Sequence, residues 1–366
     1  MGLSLKRPNP STTFARLIAN PGFQRWAARF PLTRRLARKD GEALFDLVSG
    51  FCHSQILQAF VALDLHTLLL DGPKSLDSLA LQTKVSHDRL AILLQAAAAL
   101  GLVKRKRKSY SLSRKGAALA GVPGLSEMIL HHDILYRDLR DPVAFFKGES
   151  ETELAELWPY VFGQNADLPK ETADRYSALM SGSQALVAED TLRAVTLSDV
   201  RCLMDVGGGR GAFLSEVARR YPDMELKLFD LPGVVSDVPL ELSGVVDIHA
   251  GSFREDPLPE GADAISLIRV LYDHPDHIVS DLLTKVYEAL PDGGRLIISE
   301  PMSGGDRPER PGDAYFAIYT LAMRTGRTRS AAEISDLCRA AGFTDIRIPK
   351  TARRFVTSCL TAVKLS

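Results

Sequence analysis

Two acids and a run of glycines in this chain have the types and spacing needed to hold a small, positively charged ligand. The stretch Met204-Asp-Val-Gly-Gly-Gly-Arg-Gly211 ends an apolar run, and an amphipathic helical pattern follows it. Glycines at Gly207, Gly209 and Gly211 allow a sharp turn and let the backbone approach a ligand closely. A second strand, expected over residues 225–229, ends in Asp230, with Leu231 next. That acid comes about 20 residues past the glycine turn, where a carboxylate accepts hydrogen bonds from both hydroxyls of a ribose.

The pattern Gly207-x-Gly209-x-x-Ala212 also fits the dinucleotide fingerprint of nicotinamide enzymes. Asp205 separates the two readings. A carboxylate just before the first glycine repels a pyrophosphate, whereas S-adenosylmethionine (SAM) carries no phosphate and presents an ammonium group. SAM is therefore the favoured cofactor, with NAD as competitor and a tight turn without ligand as the bland alternative.

Such a site needs a mostly parallel sheet, and the second half of the chain alternates strands with helices accordingly. Further strands are expected at residues 245–250, 262–270, 295–299, 345–349 and 355–363, with crossing helices at 278–290 and 331–341. The last two strands are joined by a short basic turn, residues 350–354, which predicts an antiparallel final strand. The expected class is α/β, a Rossmann-like seven-stranded sheet.

The first half reads as helical. Leu44, Phe45, Val48, Phe51, Ile56, Leu57, Phe60 and Val61 recur at helical spacing and predict a buried stripe. A helix at 76–83, a turn at Val85 and Ser86, a longer helix at 87–100 and a basic hairpin at 103–112 make a winged helix. The expected organisation is a basic amphipathic arm (1–40), a helical winged-helix dimerisation and substrate domain (41–195) and a SAM-binding domain (196–366).

The 366 residues balance 45 Lys and Arg against 45 Asp and Glu, which excludes a disordered chain and a polybasic nucleic-acid binder. DNA binding by Lys104, Arg105, Lys106, Arg107 and Lys108 is the sharper reading of the wing, but the helix before it is nearly all apolar and offers few side chains to base edges. Cys52, Cys202, Cys338 and Cys359 form no C-x-x-C pair, so no metal site or disulfide framework is signalled and a cytoplasmic location fits. Neither a secretory signal nor an apolar run of about 18 residues is present.

The glycine run, together with Phe229-Asp-Leu-Pro232, Gly251-Ser-Phe253, Arg269-Val-Leu-Tyr-Asp273 and Gly293-Gly-Arg-Leu-Ile-Ile-Ser-Glu-Pro301, resembles the class I small-molecule O-methyltransferases that dimerise through an N-terminal winged helix. Within them, Arg269-Val-Leu-Tyr-Asp-His-Pro-Asp276, Ser299-Glu-Pro-Met-Ser-Gly-Gly305 and the stretch from Met323 to Glu333 look most like the hydroxycarotenoid O-methyltransferases of purple photosynthetic bacteria. The resemblance implies a homodimer that methylates a hydroxyl of an acyclic, hydrophobic carotenoid. It also implies that Gly207 and its neighbours line the cofactor, Asp230 holds the ribose, Ser252 and Phe253 border the adenine, and Arg269 sits near the cofactor's edge.

Phenol-methylating relatives use a histidine base in a His-Asp-Trp motif. Here Tyr272 stands in the histidine's place and His274 in the tryptophan's; Glu300 matches one supporting acid and Thr328 replaces the other. The catalytic set is therefore expected to be Tyr272, which orients the substrate hydroxyl, His274, which accepts its proton late or merely caps the Pro275 turn, and Glu300. Tyrosine is a poor base at its ordinary pKa.

Nine of the first 39 residues are Lys or Arg (Lys6, Arg7, Arg16, Arg25, Arg29, Arg34, Arg35, Arg38, Lys39). Phe14, Leu17, Ile18, Phe23, Trp26 and Phe30 recur between them, the pattern of an interfacial helix on anionic lipid, so residues 1–39 are expected to touch a membrane or pack across the partner subunit. The rival functions are a C-methyltransferase on a chlorin-type pigment and a non-enzymatic DNA-binding regulator.

Overall fold

The computed structural model describes residues 10–156 and 170–365; of the arm's basic residues, Lys6 and Arg7 lie outside the described residues. The chain divides into two compact units, one through Ala118 and one from Leu119.

In the first unit, Asn20 caps the arm helix Pro21–Arg29, its side chain accepting from the amides of Gly22 and Phe23 at 2.8 and 3.1 Å. The long helix Arg34–Ala62 buries Phe60 and Val61, but Leu44, Phe45, Val48 and Phe51 are exposed, so the expected buried stripe holds only at its C-terminal end. Among the described residues of its unit, this end is an exposed apolar face. The winged helix forms as expected: helices Leu76–Thr83 and His87–Ala99 precede a three-stranded sheet of β1 (Lys74–Ser75), β2 (Val103–Lys106) and β3 (Ser109–Leu112), in the order β1-β3-β2. Leu90, Leu94 and Ala97 form the buried side of the second helix.

The second unit is built on seven strands: β4 (Cys202–Val206), β5 (Glu225–Asp230), β6 (Val246–Ala250), β7 (Ala264–Ile268), β8 (Arg295–Glu300), β9 (Thr344–Arg347) and β10 (Ser358–Val363). They lie in the order β6-β5-β4-β7-β8-β10-β9. All pairs are parallel except those of β10, which runs antiparallel to both β8 and β9. Central strands buried on both faces read as unbroken apolar runs, and β4 and β7 are buried throughout. Alternate residues serve two cores: Met204, Val206, Ile265, Leu267 and Ile298 on one face, Leu203, Leu226, Leu228, Ala264 and Ile297 on the other.

The second core also takes in Val187, Ala188 and Leu192 of helix Lys170–Ala194. The compact division accordingly falls at Ala118, earlier than the change of pattern near residue 195, because this helix packs its apolar side on the sheet. Helix Leu125–Asp138 belongs to the same unit, held by the Asp138 carboxylate, which accepts from the amides of Glu153 and Leu154 at 2.7 and 3.1 Å.

Candidate active site

The predicted site residues gather where parallel strands end, at the carboxyl edge of the sheet. Asp205 precedes the last residue of β4 and is fully buried. Its Oδ1 accepts from the Ser266 hydroxyl at 2.6 Å, while its Oδ2 has no partner. Burial pushes its pKa up to about 7, the Ser266 bond opposing. A Cβ on Gly208 would stand 2.4 Å from that Oδ2, so the middle glycine is required by the carboxylate beneath it. Gly207, Gly209 and Gly211 all have positive φ, and at Gly209 the space beside the backbone is open.

Asp230 ends β5. Its two oxygens accept one amide each, Gly209 N at 2.7 Å and Leu231 N at 2.7 Å. The acid thereby ties the glycine turn to its own strand end, and each oxygen keeps a lone pair for a hydroxyl. Beyond β6, the Ser252 amide donates to Asp256 Oδ2 at 2.8 Å, and the half-buried Phe253 ring meets His274 edge-on at 5.2 Å. An orphaned buried carboxylate oxygen, an open glycine turn and a ribose-competent acid fit the ammonium, backbone and sugar of SAM.

Arg269 follows β7 in a left-handed conformation, φ 59°. Its guanidinium donates to Ser183 Oγ at 2.8 Å and to Tyr272 Oη at 3.3 Å. Tyr272 is buried, which pushes its phenol well above the usual value despite Arg269, so it keeps its proton. Its amide donates to Glu300 Oε2 at 3.2 Å; Oε1 is unpartnered, and burial pushes that carboxyl up to about 7. Asp273 beside it is raised by burial to about 8, with an Oδ1 that has no partner.

The surroundings of His274 disfavour its protonated form. Its Nδ1 lies 3.1 Å from the Arg254 guanidinium, and burial together with the nearby cations Arg254 and Arg329 lowers it to about 3. His274 closes the 3-10 turn Leu271–Asp273 before Pro275, its amide donating to the Leu271 carbonyl at 3.2 Å.

Two residues that hold this loop escaped the sequence reading. Arg329 is fully buried; it donates to the carbonyls of Leu271 and His274, both at 2.8 Å, and pairs with Asp276 at 2.6 Å. Gly326 lies so close to the loop that a Cβ would sit 1.9 Å from the Tyr272 carbonyl oxygen. The glycine could have been flagged from the motif; the arginine's partners are main-chain carbonyls, which leave no mark in a sequence. His131 and His132 are half-buried and bonded to Tyr319 and Tyr315.

Residues 136–344 match the O-methyltransferase domain family and residues 45–121 the O-methyltransferase dimerisation domain. The chain belongs to the O-methyltransferase family, and it is a SAM-dependent O-methyltransferase. Among its relatives is the demethylspheroidene O-methyltransferase of Cereibacter sphaeroides, 54% identical over 357 residues, 96% of this chain and 94% of that protein. The enzyme of the same name from Rhodobacter capsulatus is 52% identical over 361 residues, 99% of this chain and 92% of that one. Among solved structures, human N-acetylserotonin methyltransferase in complex with SAM aligns with a TM-score of 0.75 at 25% identity, covering 89% of this chain and 98% of that one. CalO1, a methyltransferase of calicheamicin biosynthesis bound to S-adenosylhomocysteine, aligns with a TM-score of 0.74 at 27% identity, with the same coverage.

Proposed function

We propose that this enzyme methylates a hydroxyl of an acyclic hydroxycarotenoid. The observation that carries the substrate class is the near-full-length identity to two demethylspheroidene O-methyltransferases. When bound, SAM supplies a methyl carbon already activated by its sulfonium, so the protein's own task is to align the nucleophile and remove its proton.

In this reading Asp205, Gly207, Gly209, Asp230 and Leu231 hold the cofactor, Ser252 and Phe253 border its adenine, and Arg269 stands at its edge. Tyr272, fixed by Arg269, orients the substrate hydroxyl through its phenol, and Glu300 fixes the Tyr272 backbone. His274 serves as a wall beside Phe253 and not as proton acceptor, because a histidine lowered to about 3 by burial and Arg254 takes up protons poorly at neutral pH. The segment from Leu119 to residue 195 supplies the substrate side of the same unit.

The unit before it is the dimerisation domain, and the exposed Leu44, Phe45, Val48 and Phe51 give it a contiguous apolar face suited to a second copy. In the arm, Phe14, Leu17, Ile18, Trp26 and Phe30 are exposed beside Arg16, Arg25 and Arg29. Apolar and cationic groups so mixed favour an anionic membrane surface, where a nearly water-insoluble substrate resides. No helix among the described residues is long and apolar enough to cross a membrane.

Labelled SAM with a panel of hydroxylated polyenes and chlorin pigments, followed by mass spectrometry, tests the substrate; label on carbon of a chlorin would replace this reading with C-methylation. Co-sedimentation with anionic liposomes tests the arm, and equal pelleting of the full chain and of a chain lacking residues 1–39 would reject it.

A further inference from the structure

With His274 set aside, the proton leaving the substrate needs another destination. Helix Leu125–Asp138 carries two adjacent histidines, each joined to a tyrosine: His131 Nε2 lies 2.8 Å from Tyr319 Oη, and His132 Nε2 lies 2.6 Å from Tyr315 Oη. The tyrosines are one helical turn apart and so share a face, but their surroundings differ. Tyr319 is buried in an apolar cluster with Leu135, Phe145, Leu154 and Met323, the setting of a structural bond.

Tyr315 is only half-buried. It packs edge-on against Phe316 at 4.8 Å, and Phe316 packs edge-on against Tyr272 at 6.4 Å. Arg269 and Tyr272 both act electrostatically on its hydroxyl. Phe316 thus bridges the ring of Tyr272, which Arg269 bonds, to the ring of Tyr315, which bonds His132.

The segment that carries Tyr315 is built to hold it still. It is a π-helix, Arg310–Phe316, a rare turn often found at functional sites. Asp313 fastens its start, accepting from Ser303 Oγ at 2.6 Å, Gly304 N at 2.8 Å and Glu309 N at 2.7 Å. Gly312 packs so tightly that a Cβ would meet the Met302 carbonyl oxygen at 2.1 Å.

Burial pushes the Tyr315 phenol up, so it holds its proton, and its Oη lies 2.6 Å from His132 Nε2. Burial lowers His132 as it does His274, but no guanidinium is among the causes of its shift.

We propose that Tyr315 and His132 are the route by which the substrate's hydroxyl proton leaves: Tyr315 Oη contacts the hydroxyl, and His132 receives the proton through Tyr315. As the O–CH3 bond forms and the S–CH3 bond breaks, its electron pair staying on sulfur, the hydroxyl proton moves to Tyr315 Oη and the tyrosine's own proton moves to His132 Nε2. The products are a neutral ether, a neutral thioether and an imidazolium, with no other reactant. The step rests on the O-methylation proposed above. Tyr315 is the catalytic residue; His132 acts through it.

The test compares the full-length enzyme with Tyr315→Phe, His132→Gln and the double variant, using SAM and a hydroxylated acyclic carotenoid in detergent. Each single variant is expected to lose about 100-fold in kcat, with carotenoid KM and calorimetric SAM affinity little changed. The double variant should fall no further than the worse single, because the two groups act as one unit. Should His132→Gln also lose SAM affinity, Tyr315→Phe carries the test, since it deletes one oxygen and no ring. In the ligand-free protein, 15N-histidine NMR should show His132 with its proton on Nδ1, and Tyr315→Phe should move the Nε2 resonance.

Single variants with kcat near wild type, losses that multiply in the double, or an unmoved Nε2 resonance would each overturn the proposal. A wild type that leaves the carotenoid untouched while turning over another pigment overturns the substrate reading instead, and the histidine resonance still decides whether the pair exists.

Discussion

The guanidinium of Arg329 donates to the main-chain carbonyl of His274 at 2.8 Å, from a position with no exposure to solvent. With its second bond to Leu271 and its ion pair to Asp276, this one side chain spans the short 3-10 turn Leu271–Asp273 from both ends. Tyr272 owes its place to an arginine more than 50 residues further along the chain.

Replacing that arginine by a shape-filling apolar residue, Arg329→Met, leaves the His274 carbonyl without its donor, the Leu271 carbonyl with only the His274 amide, and Asp276 with only Arg327. A destabilisation of about 3 kcal/mol is expected, read as a lower urea midpoint, together with reduced turnover. An unchanged midpoint would show that water or another cation takes over the three acceptors.

Gly326→Ala drives a methyl group toward the Tyr272 carbonyl oxygen, which it would approach to 1.9 Å. The loop must move, at a cost of about 1 to 3 kcal/mol, and Tyr272 moves with it. Turnover should drop while SAM affinity, set at the ends of β4 and β5, stays near wild type. Equal losses in both would place the damage outside the loop.

Cofactor affinity should rise with pH. Asp205, at about 7 in the ligand-free protein, is partly protonated at neutral pH, and a cationic ligand binds the ionised form better. Calorimetry in buffers of different ionisation enthalpy should show proton release on SAM binding near pH 6.5, and Asp205→Asn should abolish it. Affinity that stays flat from pH 6 to 8 would refute this assignment.

Stability of the ligand-free protein should fall as pH rises. Asp273 is raised from 3.8 to about 8, so the folded state binds its proton more tightly than the unfolded state does. Its contribution is complete below the ordinary value and is lost as pH climbs toward about 8, the opposite sign to a salt-bridged acid. Asp273→Asn, neutral at every pH, should flatten that slope in urea titrations at pH 5, 6.5 and 8; a slope as steep as wild type would move the effect to Glu300 or elsewhere.

Tyr272→Phe removes the phenol that Arg269 fixes and should cost about tenfold in kcat, one hydrogen bond's worth. His274→Ala should leave kcat within about threefold and act mainly on SAM affinity, through the lost edge contact to Phe253. Should His274→Ala instead abolish turnover with the cofactor still bound, the histidine is the base after all.

The placement of the residues proposed for the cofactor was legible from local pattern because they lie at strand ends within a few positions of one another: glycines for the turn, Asp205 before them, Asp230 at the next strand. The winged helix and the antiparallel last strand were legible for the same reason. What stayed hidden depends on distant partners. Arg329 binds carbonyls, Tyr315 gains meaning only opposite His132 some 180 residues earlier, and a π-helix has no periodic signature. That Arg254 stands 3.1 Å from His274 could not be read from local pattern either, because it lies on another loop. The apolar stripe of the long helix was read correctly as a stripe, but periodicity does not say whether the covering surface comes from the same chain.

The placement of β10 has a bearing on how the second unit is assembled. β9 is made first yet has no seat of its own on the sheet: it borders only β10, which in turn borders β8. Until Ser358–Val363 slots in, one flank of β8 lies bare and β9 has nowhere to dock. Clipping or misplacing that late hexapeptide should therefore cost two strands at once, and the nascent chain must tolerate an open, sticky seam from the completion of β8 until the last residues are made.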